Sequence, residues 1–474
     1  MEKFLLIDTH AHLDDARFDS DRDAVIERAS AAGVKEIITV GCWDREKGFS
    51  GIERILEEYG FIYGALGVHP HDAKDALDND SDEPFDLIKD LALNKRFDGK
   101  SKIVGLGETG LDYHYENSPK EAQKKVFRRH INLARELNLP LIIHSREAEG
   151  ETLAILGEEG AEDVGGVFHC FSGSPQMAAK ALKMGFYLSF TGVVTFPKAT
   201  SLVEAIKKIP VEKMLLETDC PYLAPVPERG KRNEPAFLVH TALKIAELKG
   251  LSPGDVARIT TQNAGELFGI GGGGERDVRI AYPIRNSLYL NITNRCTNRC
   301  TFCTKFKSYT VKGHYLRLSE EPDFLQVIKA VGPEPEKYDE VVFCGYGEPL
   351  LRLDLVRKVG LFLKKRGCRI RVDTDGLANL AHGGNVLSGL KFVDTISVSL
   401  NAPDSETYQR LVKTPYGDKA YPAILYFLRE AKKHIPKVVA SVVAVPGLDI
   451  EACRRVAEDE LGVAFRVREY DNVG

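Results

Sequence analysis

The chain has 474 residues, of which 43% are hydrophobic and 28% charged, and its formal net charge is −5. With about 150 residues in a common domain, this length predicts two domains of ordinary globular composition. No apolar run approaches the roughly 18 residues that cross a bilayer and no secretory signal opens the sequence, so we exclude membrane, fibrous and disulfide-stapled classes and expect a cytoplasmic protein.

Short apolar runs alternate with longer helical patterns in the first part of the chain. Eight of these runs are predicted strands, at residues 4–9, 36–41, 61–68, 102–107, 139–144, 166–169, 186–190 and 214–218. Eight β-then-α units in about 265 residues are typical of a (β/α)8 barrel, whose usual size is about 250 residues. We therefore predict a TIM-type barrel over residues 1–268.

Four consecutive glycines, at residues 271–274, separate two parts of different composition. Such a run costs too much backbone entropy inside a helix or strand, so we predict a linker over residues 269–277. Up to Ile270, 33 basic and 44 acidic residues give a net charge of −11, and the remaining 31 and 25 give +6. Neither value is the strongly basic one that is typical of nucleic-acid-binding domains.

Six more strands are predicted after the linker, at residues 287–293, 340–344, 369–373, 395–400, 438–443 and 464–468. Helical segments separate them, which favours a parallel sheet or partial barrel. We predict a (β/α)6 partial barrel over residues 278–474.

Ligand-type side chains stand at the carboxyl ends of five strands of the first barrel, where β/α barrels carry their chemistry. They are His10, His12, Glu108, His144, His169 and Asp219. A single histidine there more often satisfies a buried hydrogen bond than binds a metal. Six such residues at five strand ends argue against that reading, because barrel interiors favour branched apolar side chains.

Imidazole and carboxylate suit Zn²⁺, Mn²⁺ or Fe and leave coordination positions open for water. Two metals about 3.5–4 Å apart can activate water and clamp both oxygens of an in-line displacement. Glu108 is the natural bridge between them, and Asp219 could bind a metal and accept the proton of the water.

Residues 1–268 resemble the TatD family of metal-dependent nucleases through segments in family order: DTHAHLDD, GVHPHD, GLGETGLDY, IIHSRE, HCFSG, ETDCPYLAP and RGKRNEP. The resemblance implies a dinuclear centre of Zn, Mn or Mg that hydrolyses DNA phosphodiesters from a 3′ end. It carries the metal-ligand role over to His10, His12, Glu108, His144, His169 and Asp219. Asp219, the base, and Glu108 would be catalytic.

The same resemblance suggests substrate contacts at His69, His71, Arg146 and Arg232. The two histidines could equally cap a strand end, and a basic loop is more often a solvated turn. Because neither part of the chain is strongly basic, short single strands or nucleotides suit it better as substrates than long duplex DNA. Hydrolysis of an amide or ester, such as an aminoacyl-RNA or a product of the second domain, is the alternative for this barrel.

Three cysteines follow the first strand of the second part in the spacing C-x₃-C-x₂-C: Cys296, Cys300 and Cys303. A [4Fe–4S] cluster normally takes four thiolates, so three leave one iron open to a substrate ligand. Zinc is the alternative, but structural zinc usually closes four positions, often with paired C-x₂-C knuckles, and no second knuckle is present.

This spacing resembles the signature of the radical S-adenosylmethionine superfamily, and so do the strand ends that follow it over residues 280–474. The resemblance implies S-adenosylmethionine contacts at Gly345, Gly347, Glu348, Asp373, Ser399 and Asn401. It also implies reductive cleavage of S-adenosylmethionine to a 5′-deoxyadenosyl radical, with an electron from a donor such as flavodoxin or ferredoxin. The residues that would choose the radical's target are not recognisable.

Three functional hypotheses follow. Both domains could act on nucleic acid, the barrel could instead cleave an amide or ester, or one domain could be a catalytically silent binding module. The complete ligand sets of both halves argue against the third hypothesis.

Overall fold

The computed structural model describes residues 5–78, 82–97, 99–115, 117–271, 278–306 and 309–470. The chain divides into two compact units, Met1–Gly274 and Glu275–Gly474. Residues 272–277 of the predicted linker lie outside the described residues, and the exact domain boundaries stay a prediction. No helix among the described residues is long and apolar enough to cross a membrane.

The first unit is built on eight parallel strands that neighbour one another in chain order. They are β1 Leu6–Ala11, β2 Val34–Cys42, β3 Ile62–Gly67, β4 Ile103–Asp112, β5 Leu141–Arg146, β6 Gly166–Phe168, β7 Tyr187–Phe190 and β8 Met214–Leu216. The backbone N–H of His12 donates to the Cys220 carbonyl at 2.8 Å, and that of Asp219 donates to the His10 carbonyl at 2.9 Å. These bonds join the first strand to the last, and the predicted (β/α)8 barrel is confirmed.

Helices cover the outside of this barrel. They are α1 Arg22–Ala32, α2 Ser50–Glu58, α3 Ala73–Ala76, α4 Glu83–Asn94, α5 Lys120–Leu137, α6 Glu149–Glu158, α7 Pro175–Lys183, α8 Thr200–Lys208, α9 Leu238–Lys249 and α10 Pro253–Phe268. Their buried positions, such as Val126, Phe127 and Ile131 of α5, recur at helical spacing and pack into one apolar core with the strands.

Strand β4 continues five residues beyond its predicted end at Gly107. Gly110 allows this, since it has φ +143° and a Cβ there would lie 2.0 Å from the His144 carbonyl oxygen. Only glycine lets β4 run this close to β5. The extension carries Glu108 and Asp112 beside His144.

His130 of α5 ties the helix to the end of β3. Its Nε2 accepts a hydrogen bond from the Val68 N–H at 3.1 Å, and its Nδ1 donates to the Val126 carbonyl at 2.9 Å. Because the ring is fully buried, its pKa falls from 6.5 to about 4. The neutral ring is thus the native form, and its Nε2 cannot accept once it is protonated.

We expect this histidine to make the first unit sensitive to acid. Its contribution to the free energy of unfolding is complete above pH 6.5 and is lost as the pH falls toward 4, a loss of about 3 kcal/mol. Urea unfolding of wild type and His130→Gln between pH 7.5 and 4.5 measures it. The variant should have a lower free energy of unfolding at pH 7.5 and should lose less of it on acidification. If the free energies of the two proteins fell in parallel with pH, His130 would not be the source of the acid sensitivity.

The second unit contains a seven-stranded sheet. Its strands are β9 Ala281–Ile284, β10 Ser287–Leu290, β11 Glu340–Phe343, β12 Ile370–Thr374, β13 Thr395–Ser399, β14 Lys437–Val443 and β15 Ala464–Arg468. β10 to β15 are parallel, as predicted, whereas β9 pairs antiparallel with β10 at the edge. Sequence reasoning missed β9 because Pro283 interrupts a run of only four residues, and proline is tolerated in edge strands.

Helices α11 Phe324–Val331, α12 Leu353–Lys365, α13 Ala378–His382, α14 Ser405–Val412, α15 Ala420–Ala431 and α16 Ile450–Arg455 belong to this unit. They pack on the apolar face of the sheet and form one core with it.

Candidate functional sites

Glu108 lies at the centre of the group of predicted metal ligands at the barrel's carboxyl end. Its Oε1 is 2.6 Å from His144 Nδ1 and 2.8 Å from His169 Nε2. Its Oε2 is 3.4 Å from His10 Nε2. Burial by itself would raise the pKa of the Glu108 carboxyl, but the surrounding histidines, His169 and His69 first, hold it well below its usual range.

Asp219 completes the group from the loop after β8. Its Oδ1 lies 3.4 Å from His12 Nε2 and 3.7 Å from His10 Nε2, and the two histidine Nε2 atoms are 3.2 Å apart. Burial favours a raised pKa, but the hydrogen bond with His12 and the charges of His10 and His169 lower the pKa of Asp219 overall. The structure thus brings all six sequence-predicted ligands together.

The spacing of these atoms fits divalent metal. Two ligand atoms about 2.1 Å from one ion in tetrahedral geometry are about 3.4 Å apart. Within each of three triplets the ligand atoms lie within 4.8 Å of one another: His10–Glu108–His169, His10–His12–Asp219 and His69–Glu108–His144. The first triplet shares His10 with the second and Glu108 with the third, and imidazole with carboxylate is the donor set that zinc and manganese accept.

His69 and His71 stand beside the same group. His69 Nε2 is 3.5 Å from Glu108 Oε1, and its Nδ1 accepts a hydrogen bond from the His71 N–H at 3.2 Å. His69 therefore caps the turn after β3 and faces the candidate metal centre with its other nitrogen. A cap at the strand end and a contact with substrate are therefore compatible roles for His69.

The three cysteines of the second unit lie on the loop after β10, and each is partly buried with a free thiol. The Asn298 N–H points at Cys296 Sγ from 3.4 Å. Backbone bonds fix the loop, since the Thr301 N–H donates to the Leu411 carbonyl at 2.8 Å. The Thr297 hydroxyl also donates to the Asp375 carboxylate at the end of β12. Three thiols on one anchored loop fit an iron–sulfur cluster with one iron left open.

The glycines after β11 are required by the packing of this loop. A Cβ at Gly347 would lie 2.2 Å from the Thr293 carbonyl oxygen, and one at Gly345 would lie 2.4 Å from Asn291 Oδ1. Because the two glycines have no side chain, the strand ends can approach each other. The sequence did not indicate this packing role.

Glu348 is buried and accepts three hydrogen bonds from within the unit. The donors are the Leu350 N–H at 2.9 Å, the Thr374 hydroxyl at 2.8 Å and the Asp375 N–H at 2.7 Å. Its side chain therefore braces the ends of β11 and β12, and its contact with S-adenosylmethionine stays a prediction.

Asp373, Ser399 and Asn401 lie along β12 and at the end of β13. Asp373 Oδ1 is 3.1 Å from Arg371 Nε, and Ser399 Oγ accepts from Arg468 Nη2 at 3.2 Å. Asn401 Oδ1 is buried and has no hydrogen-bond partner among the described residues. A ligand hydroxyl or amine would satisfy that oxygen, which suits S-adenosylmethionine.

Comparison with known proteins places both sites in families. Residues 7–269 match the profile of the TatD related DNase family, and they make up more than half of the chain. The chain belongs to the TatD related DNase family. Residues 290–459 match the radical SAM superfamily, so the TatD unit shares its chain with a radical SAM domain.

The closely similar relatives match the TatD unit. A protein named an uncharacterized metal-dependent hydrolase, YabD of Bacillus subtilis, is 50% identical over 266 residues, 56% of this chain and 100% of the relative. The similarly named YcfH of Escherichia coli is 41% identical over 56% of this chain and 96% of its own length. The crystal structure of the E. coli TatD homolog YJJV is 30% identical with a TM-score of 0.51, covering 56% of this chain and 98% of that one.

Asp112 is a residue of the TatD unit that sequence reasoning missed. Its Oδ2 lies 3.0 Å from His71 Nε2 and 3.1 Å from His144 Nε2. It orients His144, whose Nδ1 faces Glu108. The segment GLGETGLDY did contain a signal for Asp112, because residues 108, 110 and 112 of one strand share a face and Asp112 therefore points the same way as Glu108.

We expect Asp112→Asn to weaken metal binding by about 10- to 100-fold, since a carboxylate behind a ligating histidine fixes its tautomer and orientation. Competition with a fluorescent chelator measures the Mn²⁺ affinity. Asp163→Asn, at an exposed carboxylate paired with Arg135, is the matched control. Equal affinities in the wild type and Asp112→Asn would contradict the role.

The two arginines that the sequence suggested for substrate have different surroundings, and Arg146 stacks beside the histidines of the centre. Its guanidinium carbon is 4.7 Å from the ring centroid of Tyr115, whose ring is 5.5 Å from that of His71. Arg232 instead binds the Asp21 carboxylate at 2.8 and 2.7 Å, which compensates its charge.

Proposed function

We propose that the TatD unit hydrolyses phosphodiester bonds of short single-stranded DNA from the 3′ end with two divalent ions, Zn, Mn or Mg. The observation that carries this proposal is the convergence of four histidines on the Glu108 carboxylate, two of which also face Asp219. When bound, the ions would polarise the phosphoryl group and lower the pKa of a water molecule.

The side chains around the centre have separate tasks in this reaction. Asp219, whose carboxyl is 14% exposed, accepts the proton of the attacking water. Glu108 keeps the ligand triplets in register because it belongs to two of them and faces His10 and His12 of the third. Arg146 is exposed beside His71 and supplies positive charge to a phosphate group.

Two exposed tyrosines support a single-stranded substrate. Tyr115 and Tyr222 are 46% and 48% exposed. Tyr222 lies 6.2 Å from His12 between ring centroids, and the Arg17 guanidinium carbon is 4.3 Å from the Tyr222 ring. Aromatic rings beside guanidinium groups stack unpaired bases and bind the adjoining phosphates.

We infer that the radical SAM unit holds a [4Fe–4S] cluster on Cys296, Cys300 and Cys303 and cleaves S-adenosylmethionine reductively. The electron would come from an external donor of the flavodoxin or ferredoxin type. The anchored loop presents the three thiols, and the unpartnered oxygen of Asn401 offers a contact for the cofactor.

The test uses anaerobically purified full-length protein with Mn²⁺ or Mg²⁺, 3′-labelled single-stranded DNA and no reductant. Wild type should release the label, and Asp219→Asn should lose at least about 100-fold in rate because the proton acceptor is gone. Asp163→Asn should match wild type. No release by metal-loaded wild type would overturn the nuclease proposal and direct the search to amide and ester substrates.

A further inference from the structure

The inner face of the sheet in the radical SAM unit carries many polar side chains beside apolar ones such as Val342 and Val439. On β12 the buried residues Ile370, Val372 and Thr374 alternate with Arg371 and Asp373 on the opposite face. The inner face continues with residues that share this orientation on the neighbouring strands: Ser397, Ser399, Ser441, Arg466 and Arg468. The interior of a β/α barrel is normally filled by branched apolar side chains. Polar lining marks a chamber for a ligand rather than a packed core.

A cavity of about 380 Å³ opens on this face toward the amino ends of the strands. Arg371, Lys437 and Arg466 line it, together with one acidic residue, Glu340. This volume is within the range of small-molecule sites.

The cationic side chains of this cavity differ in whether an acidic side chain neutralises them. Arg371 pairs with Glu340 at 3.0 Å and lies 3.1 Å from Asp373, so two acids neutralise it. Arg466 and Lys437 have no ion-pair partner in the described parts of the chain, and both are exposed. Two cationic groups therefore remain available in one cavity.

We propose that this cavity binds the substrate of the radical SAM unit and that this substrate carries an oxyanion, a phosphate or a carboxylate, held by Arg466 and Lys437. The proposal rests on the proposed function of the unit. A guanidinium matches the geometry of either oxyanion with two parallel hydrogen bonds, and an ammonium adds a point charge.

S-adenosylmethionine also carries a carboxylate, and two other cations lie beside its predicted contacts: Arg371 is 3.1 Å from Asp373, and Arg468 reaches Ser399. Arg468 pairs in register with Val443, two residues nearer the carboxyl end than the pair Arg466 and Ser441. Arg466 and Lys437 form no hydrogen bond or ion pair with Asp373 or Ser399 in the described parts of the chain, so they remain available for a second anion.

Calorimetric titration of the anaerobic, cluster-containing full chain with pyrophosphate, and separately with succinate, tests the proposal. Wild type should bind at least one of the two probes more tightly than a variant without the two cavity cations, and the probe that shows this difference tells phosphate from carboxylate. Arg466→Glu with Lys437→Glu should weaken that binding by about tenfold or more, since two attractive charges become repulsive. Arg466→Lys should retain most of it.

Arg429→Glu, at an exposed position of α15, is the charge control and should bind the probe like wild type. Binding by the metal-containing barrel persists in every variant, so the difference between variants reports the cavity. No binding by wild type, or equal binding by the double variant, overturns the proposal. An equal loss of S-adenosylmethionine affinity in the double variant also overturns it, because the cations would then serve the cofactor.

Basal cleavage of S-adenosylmethionine, measured on the same samples, separates the proposed cavity from the proposed radical SAM activity of the unit. Wild type and the double variant should cleave alike without substrate. Absence of cleavage in wild type would contradict the radical SAM activity, whatever the probes show.

Discussion

Glu108→Gln is expected to abolish hydrolysis by the TatD unit, with a loss of about 10³-fold or more in rate. The substitution keeps the size of the side chain but removes the charge that five histidines face. The wild-type Oε1 contacts His144 and His169, and Oε2 faces His10, so the two ligand triplets that contain Glu108 lose their common anion. We expect the metal-to-protein ratio to fall with the rate, and elemental analysis beside the DNA assay measures both.

Glu147→Gln is the matched control, because its carboxylate is 64% exposed and pairs with His114 just after β5. It should keep wild-type rate and metal content. If Glu108→Gln kept its full metal content and rate, Glu108 would not be the shared ligand.

Cys300→Ala is expected to prevent assembly of the iron–sulfur cluster and to remove S-adenosylmethionine cleavage. Two remaining thiolates on the loop cannot hold a cluster that normally takes four ligands. The visible absorption and iron content of the reconstituted protein should fall to background. Hydrolysis of DNA should remain at the wild-type rate, because the two units carry separate ligand sets.

Cys368→Ala is the control for this substitution. Cys368 is a free, buried cysteine just before β12, and its thiol is outside the loop. This variant should assemble the cluster and cleave S-adenosylmethionine like wild type. A full cluster in Cys300→Ala would show that another residue is the ligand.

The amino-acid sequence alone determined the two folds and the candidate ligands. Alternating apolar runs and helical patterns predicted fourteen parallel strands, and the structure contains them. The ligands could be found because the active residues of a β/α barrel lie at the carboxyl ends of its strands. His10, Glu108 and Asp219 could therefore be selected by position and residue type before any distance was available.

Only the tertiary structure decided which polar side chains meet. Asp112 bonds His71 and His144 across three elements, and Arg232 pairs with Asp21, 211 residues away. Glu348 accepts hydrogen bonds from Leu350, Thr374 and Asp375, and Arg466 has no ion-pair partner among the described residues. Such pairings depend on the register between neighbouring strands and on the direction of each side chain. Hydrophobic periodicity fixes which face a residue occupies, but it carries no information about the partner that stands opposite.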